Sequence, residues 1–538
     1  DAHGQPIIGA SVVIKGTTIG ISTNVDGSFG LQIPASVKDP VLVVNYLGCE
    51  PQEIAVGSRA DFRITMVESA VALDNVVVTA LGIKRQEKAL SYNVQQVKSE
   101  DIVTVKDANF MNALNGKVAG VQINSSAAGV GGAARVVMRG AKSLYKDNNA
   151  LYVIDGIPMS NVSFGSNDDG LQGNYMGSDG VADINPDDIE SISVLTGPSA
   201  AALYGSDAAN GVVLINTKKG QADKTSVTFS NSTTFSSPFV MPRFQNTYGN
   251  VSGSYQSWGD KTLRRFDPEG FFNTGSNVNN SLTFSTGTQK HQTYFSAATT
   301  NARNILPNSG YNRYNFTANH SSSFLDERMH LSVLGMYMNV NEQNMLSSGQ
   351  YYNPMIPVYL MSPSDDIRKY AVYERYNASR NFPVQYWPWG SQSLQMQNPY
   401  WITNRNMFNT TQNRYIVSGS LKWKITDWIN LSGRIRMDHA DTDYERKLYA
   451  STPGLFCQSK GHYREQKMTN NALYADVLLN IDKQLSDDFR LTANIGASLY
   501  DEKYDMMGQS GNLLRLANFF HVSNINMSDP TTEMTREH

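Results

Sequence analysis

The run Leu473-Tyr474-Ala475-Asp476-Val477-Leu478-Leu479-Asn480-Ile481-Asp482 is apolar at every odd position and polar at the even ones, with Leu478 the one break. Successive side chains of a strand point to opposite faces, so this run reads as a strand with one oily side and one wet side. Working outward, the pattern recurs. Leu491, Ala493, Ile495, Ala497 and Leu499 alternate with Arg490, Thr492, Asn494, Gly496 and Ser498. Tyr415, Val417, Gly419, Leu421 and Trp423 face away from Arg414, Ser418, Ser420 and Lys422. Such strands build either a lipid-facing, water-lined barrel or a soluble sandwich.

The links between strands separate these two readings. Links at 287–291, 325–328, 425–428 and 485–488 are tight, whereas those at 236–279, 301–312, 341–411 and 444–470 are longer. Short turns at one end and long loops at the other mark an outer-membrane barrel. A compact soluble domain rarely carries a structureless link beyond about 12–15 residues. The stretch 221–538 holds about nine strands by this count, spaced far apart. A barrel of ~8 strands has room only for side chains, while one of ~22 holds a plug. Nine strands leave open edges that lipid does not tolerate. The expectation is therefore a partial barrel, about 22 strands in full, whose native chain continues past His538.

Bulk composition fits this and excludes much else. A net charge of −3 with 17% charged residues shows no basic field for nucleic acid. No apolar run reaches transmembrane-helix length, which leaves a membrane β-barrel open. Cys49 and Cys457 are the only cysteines and lie far apart, without a disulfide framework or zinc spacing. H-E-x-x-H, P-loop and G-x-S-x-G patterns are all absent, and no enzyme is expected.

Four regions emerge: a small β-sandwich at 1–68, a linker at 69–87, a compact α+β domain at 88–220, and the barrel portion at 221–538. In the first, short strand-like runs are broken by Gly, Pro and a hairpin signal at Asp26-Gly27. Its G-x-P-x-x-G-A-S-V-x-x-K-G-T at 4–17 and T-N-V-D-G-S-F at 23–29 resemble the carboxypeptidase-regulatory-like domain. The third carries G-K-V-A-G-V-Q-I at 116–123, V-V-M-R-G at 136–140 and L-Y-V-I-D-G-I-P at 151–158. It continues with D-I-N-P-D-D-I-E-S-I-S-V-L at 183–195 and S-A-A-A-L-Y-G-S-D-A-A-N-G-V-V-L-I-N-T-K-K-G at 199–220. These motifs, in this order, resemble the plug domain of SusC/RagA-family TonB-dependent outer-membrane transporters. Thr196-Gly197-Pro198 departs from the Lys-Asp-Ala of many members and leaves the substrate class open.

The resemblance implies active import of a bulky nutrient, an oligosaccharide or an oligopeptide, through a plugged barrel set in outer-membrane lipid. It implies a SusD-like surface lipoprotein as a lid, and TonB, energised with ExbB/ExbD, as the motor. Within it, Asp74, Asn75, Val76, Val77, Val78, Thr79 and Ala80 look like a TonB box, a segment that pairs by its backbone with a partner's strand edge. On composition alone the same segment is a strand or linker. The alternative to transport is a receptor or adhesin on the same barrel.

Candidate contacts follow. Arg139, after apolar Val136–Met138, reads as a buried structural residue able to pair with Asp188 or Glu190. The polar, Gly-rich loop 160–179 offers Phe164, Asn167, Asp168, Asp169 and Tyr175 for ligand, or is a solvated connector. Asp168 and Asp169 lack a calcium-loop pattern, so Ca²⁺ is a secondary reading and no cofactor or metal site is expected. In the long loop, Tyr351, Tyr352, Trp387, Trp389 and Trp401 offer flat faces for stacking, or pack internally or on a partner.

Overall fold

The computed structural model describes the chain apart from residues 1–5, 8–9, 16, 18, 25, 35–36, 38–39, 47–51, 58, 67–75, 79–83, 87–93, 104–105, 145–147, 162, 166–175, 197–199, 202–203, 255, 264–266, 391–395, 487–488, 527–530 and 538. Two compact units result, residues 1–79 with 83–92, and residues 80–82 with 93–538.

The first unit is built on a four-stranded antiparallel sheet in the order Gly20–Ser22, Ser11–Ile14, Val41–Asn45, Gln52–Ala55. Alternation buries Val12, Ile14, Leu42 and Val44. The expected runs at 28–33 and 61–66 pack Phe29, Leu31, Phe62 and Ile64 onto this core but are not strands. Val76–Val78 pairs antiparallel with Lys84–Gln86 as a separate two-stranded ribbon.

In the second unit, a five-stranded sheet runs Ile157–Pro158, Leu151–Ile154, Val212–Thr217, Ile189–Leu195, Val94–Lys98. Leu151–Ile154 and Val212–Thr217 are parallel and the other pairs antiparallel. Val212–Thr217 is buried along its whole length, and its β-branched run reads as a strand covered on both faces. The helix-like stretch near 107–117 is a 3₁₀ turn, Phe110–Leu114, whose N-cap Asn109 accepts from the Met111 amide. Gly211 enters the central strand at φ +103°, a conformation that only glycine adopts without strain.

Around this plug lies one ten-stranded antiparallel sheet, each strand beside its sequence neighbour. Its strands are β1 (Ser226–Ser236), β2 (Gly275–Gly287), β3 (His291–Arg303), β4 (Gly310–Phe324), β5 (Met329–Gln343), β6 (Asn406–Lys424), β7 (Ile429–Tyr449), β8 (Gly461–Gln484), β9 (Arg490–Asn512) and β10 (Thr531–Glu537). The described residues thus hold ten strands where nine are counted from sequence, because Thr531–Glu537 pairs with β9. The links expected at 301–312 and 444–470 shrink to 304–309 and 450–460. β7, β8 and β9 have 21, 24 and 23 residues, far beyond the roughly 9–11 that cross a bilayer. They keep pairing above the membrane, where alternation with polar outward residues is indistinguishable from loop by composition.

Burial assigns the two faces. On β8, Leu473 and Val477 are exposed while Ala472, Tyr474 and Asp476 are buried. An outward row of rings runs along the apolar belt: Phe316–Tyr337, Tyr337–Tyr415 and Tyr415–His439 lie 6.3, 4.9 and 6.2 Å apart. No helix among the described residues is long and apolar enough to cross; the crossing is made by strands.

Val477→Arg, outward on β8, is expected to destabilise the barrel in vesicles by about 2–4 kcal/mol if it lies at the bilayer midplane. Lys467→Arg, outward above the belt, should stay within about 0.5 kcal/mol. Denaturant titration of both variants checks the assigned lipid face.

Candidate functional site

The inward positions of β4, β6 and β7 carry charge that no soluble strand would bury unpaired. Arg313, Asn315, Thr317 and Asn319 follow one another at period two on β4, and Arg434, Arg436 and Asp438 do so on β7. Arg414 of β6 is 3% exposed and grips Asp438 with two bonds of 2.8 and 2.7 Å. The same guanidinium reaches the plug, donating to Asp183 Oδ2 at 3.2 Å, Gly180 O at 2.8 Å and Ser160 O at 2.9 Å. A planar fork with five donors is what allows one side chain to hold a carboxylate and two carbonyls together.

Its neighbours repeat the arrangement. Arg313 donates to Ala108 O at 2.7 Å and to Ala182 O. Asn315 donates to Asp183 O at 2.6 Å. Arg436 donates to Ile157 O at 3.1 Å and Ile154 O at 2.9 Å, and Arg434, paired with Asp476, to Gly156 O at 3.0 Å. In the other direction, Glu342 of β5 accepts from the Ser178 amide at 2.7 Å. Between these polar rows, Leu334, Met336, Met338 and Ile416 pack into the plug core beside Ile184 and Ile192.

The plug's carboxylates in this contact come from one motif. In Asp183-Ile184-Asn185-Pro186-Asp187-Asp188, Asn185 caps a 3₁₀ turn, with Pro186 at its first position. The turn fans the carboxylates apart: Asp183 to Arg414, Asp187 to Lys106 at 2.6 Å, and Asp188 to the hydroxyls of Tyr294 and Thr317 at 2.9 and 2.7 Å. Burial pushes the Asp183 carboxyl up to about 6, against the opposing pull of Arg414. Burial also raises Asp179 to about 7, although it accepts from the Ala134 and Ala182 amides.

The residues singled out from sequence fare unevenly. Arg139 is exposed, at φ +57° where the strand Ala134–Met138 ends, so it is not the buried partner expected. Glu190 is exposed as well, and Asp188 spends both oxygens on the barrel. Among the aromatic candidates, Trp401 is fully buried with its indole N–H on Thr452 Oγ1 at 3.0 Å. Tyr352 is buried between Phe408 and Phe456. Trp387 packs edge-on against Tyr370, to whose hydroxyl Trp389 donates at 3.2 Å. Half-buried Tyr351 lies 4.8 Å from Phe456. These rings form the core of a folded extracellular loop rather than a stacking platform, because a long loop needs its own apolar cluster to hold shape. Asn167, Asp168, Asp169 and Tyr175 lie outside the described residues, as do Asp74, Asn75, Thr79 and Ala80. Of Phe164 only the extended backbone is described. No group of three or more His, Cys, Asp or Glu among the described residues could hold a metal.

Comparison with known proteins places this geometry. The TonB-dependent Receptor Plug Domain model matches residues 86–212, and the CarboxypepD_reg-like domain model matches 1–78. The chain is 30% identical over 415 residues to TonB-dependent receptor SusC of Bacteroides thetaiotaomicron, covering 74% of this chain and 39% of that one. It is 26% identical to TonB-dependent receptor P26 of Formosa agariphila over 98% of this chain and 51% of that one. The chain thus spans about half or less of the length of these relatives. Its fold matches the RagAB peptide importer in the closed-closed and open-open states, each at TM-score 0.65 and 21% identity, covering 83% and 86% of this chain and 52% and 53% of those.

Arg414→Met leaves Asp183 and Asp438 buried without their cation and is expected to cost about 3–5 kcal/mol. Hydrogen exchange of plug amides around 180–184 should report it. Asp179 titrates higher folded than unfolded, so it favours the folded plug below pH ~4, and that contribution is lost as pH rises through about 7. Plug protection should therefore fall from pH 5 to pH 8, and Asp179→Asn should shrink that fall, leaving the part set by Asp183.

Proposed function

We propose that this chain, whose plug and barrel are those of a SusC/RagA-type TonB-dependent outer-membrane transporter, imports a bulky nutrient across the bacterial outer membrane. Ligand binds above the plug, and its tighter binding to one plug state shifts the ensemble. TonB, energised through ExbB/ExbD, then draws the plug aside. A SusD-like surface lipoprotein covers the outer mouth. Oligosaccharide and oligopeptide are the two cargo classes weighed.

The observation that carries the reading is how the plug is held. Its contacts to β4, β6 and β7 are mainly hydrogen bonds from arginine, amide and hydroxyl side chains to plug carbonyls and two carboxylates. Exchanging such a bond for one to water changes free energy by only about 0.5–1.5 kcal/mol, or ~1.5–3 for a charged donor. A plug so attached can be pulled away into a wet lumen and can return. An apolar seam of equal area would resist wetting.

The motor's handle is residues 74–80. The stiff Val76–Val78 run is extended and pairs on one side with Lys84–Gln86 in a two-stranded ribbon, which supports β-augmentation on the other side. Proline there removes a backbone donor. Val77→Pro is expected to abolish energised uptake while surface binding of the same labelled ligand persists. Uptake assays with labelled oligosaccharides and oligopeptides, run on wild type and on a deletion of 73–82, identify the cargo class. Undiminished uptake by either variant would sink the assignment of the handle.

A further inference from the structure

The outer face of the barrel has a polar notch. Across β5 to β8, two adjacent outward rows are apolar or glycine: Val333, Gly419, Ile435, Ala475, and below them Leu331, Leu421, Gly433, Val477. Carried onto β2 to β4 by the pairing register, the same rows become Thr286, Thr293, His320 and His291, Ser322. These groups bind one another. His291 Nδ1 lies 2.6 Å from Ser322 Oγ, His320 Nδ1 lies 2.9 Å from Thr293 Oγ1, and the two rings stack 6.4 Å apart. Where Thr293 accepts from the His320 Nδ1–H it keeps its own hydrogen to give outward, while Ser322 Oγ bridges the two rings, 3.3 Å from His320 Nε2. The cluster adjoins the short 288–290 link, at the periplasmic end by the rule for such turns.

Directly above it the wall is hollow. Ala297, Ala318 and Gly335 form a low floor walled by Phe284, Phe295, Phe316 and Tyr337, an open groove of about 560 Å³. Phe295 and Ala318 stand two residues along their strands from Thr293 and His320, on the same face, roughly 7 Å away. In hydrocarbon such a hollow is filled by chains, and a polar cluster beside it needs a partner.

We infer that this face binds one phospholipid of the periplasmic leaflet, its phosphate on the His291–Thr293–His320–Ser322 cluster and one acyl chain in the groove. The order of chemistry along the strands, donors at the interface and then an apolar trough toward the bilayer centre, is that of this amphiphile. The inference rests on the barrel lying in the outer membrane and is independent of what it transports.

The test is native mass spectrometry of the whole protein released from outer membranes in mild detergent. Wild type should retain one phospholipid. Gly335→Leu fills the groove, and it should fold, because a Cβ at Gly335 meets nothing within 4 Å. It should lose the lipid, as should the pair His291→Leu with His320→Leu, each with an unchanged heat-modifiable band that shows an intact barrel. Equal phospholipid retention by all three proteins, or detergent alone on wild type, would overturn the site. Lipid binding without nutrient uptake would contradict only the transport reading.

Discussion

The proposed transport requires a plug that seals the barrel and also leaves it, and such a plug has to be held by bonds that water can replace. Arg414 embodies this constraint. It anchors to the wall through Asp438 and spends its remaining donors on Asp183, Gly180 and Ser160 of the plug. Arg313, Arg434 and Arg436 do the same with plug carbonyls. Buried ion pairs add little net stability over apolar packing of the same shape. Their use here, flanking an apolar strip of Leu334, Met336 and Met338, fits a seam built for release as well as for strength.

The wall makes that seam possible. Lipid drives the backbone groups of β2 to β8 into ladders on both sides, and the pleat sends each second side chain inward. Four inward residues of β4 and three of β7 thereby line up opposite the plug at fixed height. The plug answers with carbonyls from several of its segments and with Asp183 and Asp188, which flank a capped 3₁₀ turn and meet Arg414 and Thr317, while Asp187 is held within the plug by Lys106. Rigidity lies in the sheet and adaptability in the turn.

Much of this was legible beforehand, for physical reasons. Period-two alternation exposes the barrel because lipid and water demand opposite residues on the two faces of strands such as 473–482. Tight turns at 325–328 and 425–428 show because so few residues can reverse a strand. The inward arginines did not show. Arg414 meets Asp183 across 231 positions, and nothing local to either distinguishes a buried partner from a solvated one. A polar face with three charges at period two, as at Arg434, Arg436 and Asp438, was the available signal. The aromatic loop misled in the opposite sense. Trp401 and Tyr352 have the composition of a stacking platform and the burial of a core, and composition cannot tell these apart without knowing what the loop folds onto.

The most direct measurement converts the seam rather than breaking it. Replacing Arg414 by Met, with Asp183 and Asp438 both replaced by Leu, removes all three charges while keeping volume, a change that is often neutral or stabilising by about 1–4 kcal/mol. Uptake of whichever labelled cargo the wild type imports should then fall sharply, with ligand still bound at the surface and plug amides protected at least as well as before. Wild-type uptake by this variant would contradict the claim that the plug is held by exchangeable polar bonds so that it can be released.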